Sequence, residues 1–273
     1  MLKCFYYFIM NILHAIILGI IEGVTEFLPI SSTAHLEMMS HILRLVQSDF
    51  IKSFEISIQL GAILAVVVIY SKLLFQRKRV WKPIIAGFIP TAVIGFILYK
   101  IIKDYLLGNS WLVVATLFFG GIIIIWFERW LKKTEGRIES ATDSNNDIVG
   151  MKLSTAVWIG LAQSLAVVPG VSRSAATIIA GRLLGMRRVA IVEFSFLLAI
   201  PTMAAATGYD MIKSVGAFNS EQFWLLAVGF VTAFVSAFFA VHFLLNYVKK
   251  NSFAVFGIYR IIIAIAFALF ILM

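Results

Sequence analysis

The chain has 273 residues, of which 61% are hydrophobic and only 14% charged, and its mean hydropathy is +0.97; a soluble domain carries roughly a quarter charged residues, so long soluble domains are excluded and a polytopic membrane protein is expected. The formal charge of +9 does not call for nucleic acid, because basic loops beside anionic lipid explain it more simply. The single Cys4 excludes an internal disulfide and a cysteine-based metal cluster.

In chain order, Met1 to Ile21 has the hydropathy of a signal peptide. An acidic motif follows at once and no small-x-small cleavage site is present, so the segment reads as retained sequence. Helical segments are expected near 12–28, 33–45, 54–75, 83–103, 110–130, 153–167, 174–185, 190–212, 221–247 and 253–272. Crossing a bilayer takes about 20 residues. Six segments are long enough: 54–75, 83–103, 110–130, 190–212, 221–247 and 253–272. The other four form two pairs, each broken by proline and hydroxyl residues, at Pro29-Ile-Ser-Ser and at Pro169-Gly-Val-Ser. Such pairs read as re-entrant hairpins, whose polar turns survive at membrane depth only under cover of protein or in a water-filled cavity.

The first pair carries Gly19-Ile-Ile-Glu22-Gly-Val-Thr-Glu26-Phe-Leu-Pro29-Ile-Ser31-Ser32-Thr33-Ala-His35. Glu22 and Glu26 share a helix face one turn apart. Pro29 is expected to end that helix, any of Ser31, Ser32 and Thr33 to cap the next, and His35 to lie in its first turn. Ionisable groups in lipid cost several kcal/mol each, so this collection marks a functional site.

The second pair reads Gly160-Leu-Ala-Gln163-Ser-Leu-Ala-Val-Val-Pro169-Gly170-Val-Ser172-Arg173-Ser174-Ala-Ala-Thr177. Laid on the first, Gly19 meets Gly160, Glu22 meets Gln163 and Ser31 meets Ser172, an offset of 141. Glu55-Ile-Ser57 recurs as Glu193-Phe-Ser195 at 138, and Gly87-Phe88 as Gly229-Phe230 at 142. The expected fold is therefore all-α with two repeats: residues 1–131 with hairpin 12–45, and 153–273 with hairpin 153–185, joined by a polar cytoplasmic linker 132–152. Each half holds three spans, an odd number, so the second must be inverted, and the turns 29–35 and 169–177 should face each other. Basic residues support this. The loops 77–82, 129–152, 182–190 and 248–252 gather most of them, with Arg260 counted alongside. The other side has only Lys3, Arg44, Lys52, Lys100, Lys103 and Lys213. The first side is then cytoplasmic.

The second turn has anion-binding character. Gly170 frees the backbone, the next helix offers unpaired N–H groups, Arg173 is a planar fork of donors, and Ser172, Ser174 and Thr177 add hydroxyls. Facing it, Glu22 and Glu26 would repel phosphate, so they imply a divalent cation, a general base or protonation. His35 is a candidate acid or base and Ser31 or Ser32 a candidate nucleophile. Gln163 is expected either to line the cavity or to pack on a neighbouring helix. Glu55 and Glu193 are expected at helix starts, offsetting the dipole. His14, His41 and His242 have no ligand spacing. The residues alone lead to an anion-site membrane hydrolase or a transporter.

The motifs Glu22-x-x-x-Glu26, Pro29-Ile-Ser31-Ser32-Thr33-x-His35 and Pro169-Gly-Val-Ser-Arg-Ser-x-x-Thr177 resemble the signatures of the undecaprenyl-pyrophosphate phosphatases, the bacitracin-resistance family, as does Glu193-Phe-Ser-Phe-Leu-Leu-Ala-Ile-Pro201. The resemblance covers essentially the whole chain. It implies hydrolysis of a C55 polyprenyl diphosphate to the monophosphate and phosphate in a bacterial plasma membrane, recycling the carrier lipid of peptidoglycan synthesis. It implies Glu22, Glu26, Ser32, His35 and Arg173 as catalytic, with Ser32 the nucleophile and His35 its partner. Ser31, Thr33, Gln163, Ser172, Ser174 and Thr177 would bind substrate. A divalent cation, Mg²⁺ or Ca²⁺, would rest on Glu22 and Glu26, with the site open to the outer face. The nucleophile, Ser32, another hydroxyl or water, stays open, as does assembly, for which a homodimer is one option. Ala34 stands where the family usually has Gly.

Overall fold

The structure, a computed structural model, describes residues 10–46, 48–101, 106, 109–138, 148–214 and 219–272. Cys4, Lys3, Lys103 and part of the polar linker lie outside these residues. Among the described residues every regular element is helical and no strand occurs. The α-helices are α1 Ile12–Thr25, α2 Ser32–Ile42, α3 Asp49–Ile69, α4 Ser71–Gln76, α5 Trp81–Ile101, α6 Ser110–Ile138, α7 Leu153–Gln163, α8 Arg173–Leu183, α9 Arg188–Ser214, α10 Ser220–Val248 and α11 Ala254–Leu272.

Six of them, α3, α5, α6, α9, α10 and α11, contain stretches long and apolar enough to cross a membrane, the same six expected from the sequence. The chain is a multi-pass membrane protein. More than half of the spanning stretch is buried in α3 and α9 (56% each), against 28–33% in the other four. So α3 and α9 form the centre, and the others turn broad apolar faces outward, as at Phe96, Phe119, Trp126, Phe239 and Leu272.

Proline sets the short helices. Leu28 precedes Pro29, which disfavours helical backbone there. The last bond of α1 runs from the Glu26 N–H to the Glu22 carbonyl, 2.9 Å, and residues 26–30 form a turn. In the second pair α7 gives way to a 3₁₀ segment, Ser164–Val167, before Pro169. Elsewhere the helices outrun the expected bounds. Ser48 caps α3 by accepting from the Ile51 N–H at 3.3 Å, so α3 begins at Asp49. At the other end of the first half, α6 runs on to Ile138 into the linker.

Glycines carry the tightest crossings. A Cβ on Gly160 of α7 would run into the carbonyl of Gly87 on α5. A Cβ on Gly19 of α1 would lie 2.7 Å from the carbonyl of Gly229 on α10. Thus α1 packs on α10 and α7 on α5, while α10 also packs on α3 and α5 on α9. In addition, α3 packs on α9 and α6 on α11.

Candidate active site

Glu22 is fully buried on α1, and neither carboxylate oxygen has a hydrogen-bond partner. One turn on, Glu26 has two. Its Oε2 accepts from the Ser32 hydroxyl, and its Oε1 lies 3.4 Å from Nη2 of Arg173. The first and second polar turns therefore meet through an ion pair whose side chains are 6% and 10% exposed. That burial separates it from surface pairs, which contribute little.

Arg173 opens α8. Its Nη1 donates to the Ser195 carbonyl on α9 at 2.7 Å and lies 3.5 Å from the Ser195 hydroxyl. Its guanidinium carbon is 6.0 Å from the centre of the Phe27 ring. Nε is buried with no partner. The hydroxyls around it are mostly engaged. Ser172 caps α8, accepting from the Ala175 N–H at 3.3 Å, and lies 3.0 Å from the Ser174 hydroxyl. Ser174 donates to the Leu28 carbonyl of the first turn at 2.9 Å. Thr177 pairs with the Ser195 hydroxyl at 2.7 Å. Gly170 has φ +84, and a side chain there would strike the Thr116 hydroxyl, whose own donor goes to the Pro169 carbonyl at 2.9 Å.

On the first turn, Ser31 is a non-glycine residue with φ 71, a conformation worth about 1–3 kcal/mol of strain. It makes no side-chain cap on α2, and its hydroxyl instead lies 3.1 Å from that of Thr33. The Ser31 carbonyl is 2.7 Å from Nδ1 of His35. A carbonyl only accepts, so Nδ1 carries a proton; in the neutral ring Nε2 then accepts from the Tyr259 hydroxyl, 2.9 Å away. The two rings stack at 5.5 Å with 2° between their planes. The expected pairing of Ser32 with His35 is thus replaced by Ser32 with Glu26, because both His35 nitrogens are taken.

Gln163 takes the second of its two expected places, packed on neighbouring helices: it donates to Thr91 at 2.9 Å and Thr202 at 3.0 Å, each the residue after a mid-helix proline, and so ties α7 to α5 and α9. Other expectations need correction. Glu55 is the seventh residue of α3, not its start, and accepts from Ser40 at 2.7 Å. Glu193 likewise lies inside α9 and accepts from Tyr70 at 3.3 Å. Arg260 is no loop charge: it is 1% exposed within α11. Sequence reasoning also passed over Ser195 and Tyr259 as site residues. Ser195 stands in the sequence as a repeat match and within the family-like stretch 193–201, with no role attached, and Tyr259 sits in an apolar span with no motif around it.

Among the described residues no group of three or more His, Cys, Asp or Glu could hold a metal by itself. Glu22 and Glu26 do suit a hard divalent cation, which commonly rests on one or two carboxylates and completes its shell with substrate phosphate oxygens. Two buried, unpartnered oxygens on Glu22 are what such an ion, or a proton, would satisfy.

Six helices long and apolar enough to span, packed with a buried cluster of acids, hydroxyls and a guanidinium, define a multi-pass membrane protein with a buried polar site. The chain matches the family model of the bacitracin resistance protein BacA over residues 15–266, and it belongs to that family. It is 51% identical over 259 residues, 95% of this chain and 98% of the relative, to an undecaprenyl-diphosphatase of Aquifex aeolicus. Relatives of the same name from Persephonella marina (48% identical, 96% of this chain and all of the relative) and Thermus thermophilus (43% identical, 95% and 97%) are also similar.

Proposed function

We propose that this chain hydrolyses undecaprenyl diphosphate to undecaprenyl phosphate and inorganic phosphate within the bacterial cell membrane. The observation that carries the reading is the buried line Arg173–Glu26–Ser32, which joins an anion-binding fork, a carboxylate base and a hydroxyl. The names of the relatives supply the lipid. A polyprenyl tail stays in the apolar surroundings while its diphosphate reaches the two turns.

In this mechanism Arg173 receives the terminal phosphoryl group with its free Nε and its fork, offsetting charge on the equatorial oxygens. Ser32 attacks the terminal phosphorus as its proton passes to Glu26. A P–O bond to Ser32 forms, the bridging P–O bond breaks, and the lipid monophosphate leaves with the electron pair. Glu26 hands that proton to the departing monophosphate and is again a carboxylate; water then attacks the phosphoserine, its proton passes to Glu26 and on to the Ser32 oxygen as the P–O bond to Ser32 breaks, and phosphate leaves. Ser172, Ser174 and Thr177 hold the shape of the cradle, and Ser31 and Thr33 offer hydroxyls beside the attacking group. A divalent cation on Glu22 and Glu26 would neutralise diphosphate charge.

The architecture in this reading is an inverted repeat, 1–131 and 153–273 about the linker 132–152, with re-entrant hairpins 12–45 and 153–185. The reciprocal crossings support it. Gly19 packs on Gly229 and Gly160 on Gly87, and exchanging the matched positions turns one contact into the other. The basic loops favour a cytoplasmic linker; in this reading the site opens to the outer face, where it would recycle the carrier lipid of peptidoglycan synthesis and so confer bacitracin resistance. The test is phosphate release from polyprenyl diphosphate by detergent-purified protein, with and without a chelator. No release under any metal condition would sink the reading; release abolished by chelator and restored by Mg²⁺ or Ca²⁺ would support the cation on Glu22 and Glu26.

A further inference from the structure

Arg260 is among the largest fully buried side chains of the molecule, and among the described residues no carboxylate pairs with it. Its partners are four backbone carbonyls from three places. Nη2 donates to Thr116 at 2.9 Å and to Gly170 at 3.0 Å. Nε donates to Leu117 at 3.4 Å and Nη1 to Pro29 at 3.5 Å. Pro29 belongs to the first polar turn, Gly170 to the second, and Thr116 and Leu117 to α6.

A guanidinium at membrane depth costs several kcal/mol unless its donors are satisfied. Here they are satisfied by the backbone of the two turns whose side chains form the site. The fit is built in on the other side as well. Gly120 of α6 lies under the guanidinium, and a Cβ there would run into Nη2. The adjacent residue of α11, Tyr259, bonds His35. One helix thus delivers two neighbouring side chains to the site from outside it.

We propose that Arg260 is a positioning residue that fixes the separation between the two polar turns, and hence the placement of Arg173 against Glu26 and Ser32. It touches no reacting atom. It acts by holding the Pro29 and Gly170 carbonyls on one rigid fork, so that the Arg173–Glu26 distance is set before substrate arrives. Misplacement of reacting groups by about 1 Å is worth roughly 10²-fold in rate, and lysine, with a single ammonium, cannot span acceptors in three directions.

The inference rests on the proposed phosphatase reading, and its test separates the two. Full-length Arg260→Lys and Gly120→Ala proteins are purified in detergent, and steady-state phosphate release is measured beside hydrogen–deuterium exchange. In Arg260→Lys, kcat should fall about 10²-fold with KM changed less than about threefold, since binding groups remain but their alignment is lost. Exchange should quicken in peptides covering both 26–36 and 167–178, while α3 and α9 stay protected. Gly120→Ala keeps the charge but displaces the fork, and should give the same pattern in weaker form; it also serves where Arg260→Lys fails to fold. Normal turnover, or loosening of one turn alone, would overturn the positioning role. Wild-type protein that releases no phosphate defeats the phosphatase reading, and the exchange result then still decides whether Arg260 ties the turns.

Discussion

The Ser32 hydroxyl donates to Oε2 of Glu26, while His35, three residues further along the same helix, is turned to Tyr259. The group positioned to take the Ser32 proton is therefore a carboxylate whose other oxygen is held by Arg173. Glu26→Gln keeps the shape but cannot accept that proton. Phosphate release should fall by about 10²–10⁴-fold, the usual contribution of a positioned general base. Ser32→Ala should abolish turnover if serine attacks. Retention of a tenth or more of the wild-type rate would instead assign the attack to water activated by Glu26.

Tyr259 holds the ring plane of His35 from α11, while the Ser31 carbonyl sets its tautomer. Tyr259→Phe preserves the stacking and removes one neutral hydrogen bond, worth about 1 kcal/mol. Turnover should drop about three- to tenfold, with the melting temperature in detergent little changed. A loss as large as that of His35→Ala would mean that the tyrosine hydroxyl itself takes part in the chemistry.

How much of this was legible in the sequence varies with the residue. Pro29 and Pro169 announced the two turns, because proline removes a donor and restricts the residue before it. Glu22, Glu26, Ser32 and Arg173 stood out as polar groups in apolar sequence, and the structure brings the last three into one connected cluster. Glu55 and Glu193 lie inside their helices because both helices begin earlier than the apolar pattern does: Ser48 caps α3 at Asp49 and α9 begins at Arg188. Arg260 was visible as a charge in an apolar run, yet its carbonyl partners lie up to 231 residues away along the chain. Backbone acceptors leave no mark in a sequence, so nothing there pairs Arg260 with Pro29 and Gly170. The same holds for Ser195, whose carbonyl rather than its hydroxyl is the close partner of Arg173.

The glycine crossings make a stability prediction. Any side chain on Gly160 collides with the Gly87 backbone, whereas Gly95 in α5 has nothing within 4 Å of an added Cβ. Overpacking costs about 1–3 kcal/mol. Gly160→Ala should lower the melting temperature in detergent by about 5 °C or prevent folding, and Gly95→Ala should leave it unchanged or slightly higher. Equal behaviour of the two would argue against the α5–α7 contact.

The orientation is open to labelling. Arg79 is exposed between α4 and α5, whereas its neighbour Val80 is buried and could not report. With Cys4 replaced by Ser, an Arg79→Cys protein in intact cells should resist an impermeant thiol reagent and react once the membrane is opened. Labelling in intact cells would reverse the inside–outside assignment drawn from the basic loops.

Arg173 gives the sharpest test of the site. Its Nη1 holds the Ser195 carbonyl and its Nη2 faces Glu26, while the buried Nε has no partner, so donors on one rigid fork remain for a phosphoryl oxygen. Lysine keeps the charge that balances the acids but has no fork: it cannot hold the Ser195 carbonyl and Glu26 while also meeting a phosphoryl oxygen. Charge stabilisation supplies most of the catalysis in phosphoryl transfer, and losing one preorganised donor costs about 10²–10³-fold. Arg173→Lys should therefore lower turnover by about 10²-fold or more while expression and melting temperature change little. The double variant Arg173→Lys with Glu26→Gln should fall less than the product of the two single effects, because both act through one ion pair. Near-wild-type phosphate release from Arg173→Lys would refute the clamp and return the site to a carrier that binds an anion without cleaving it.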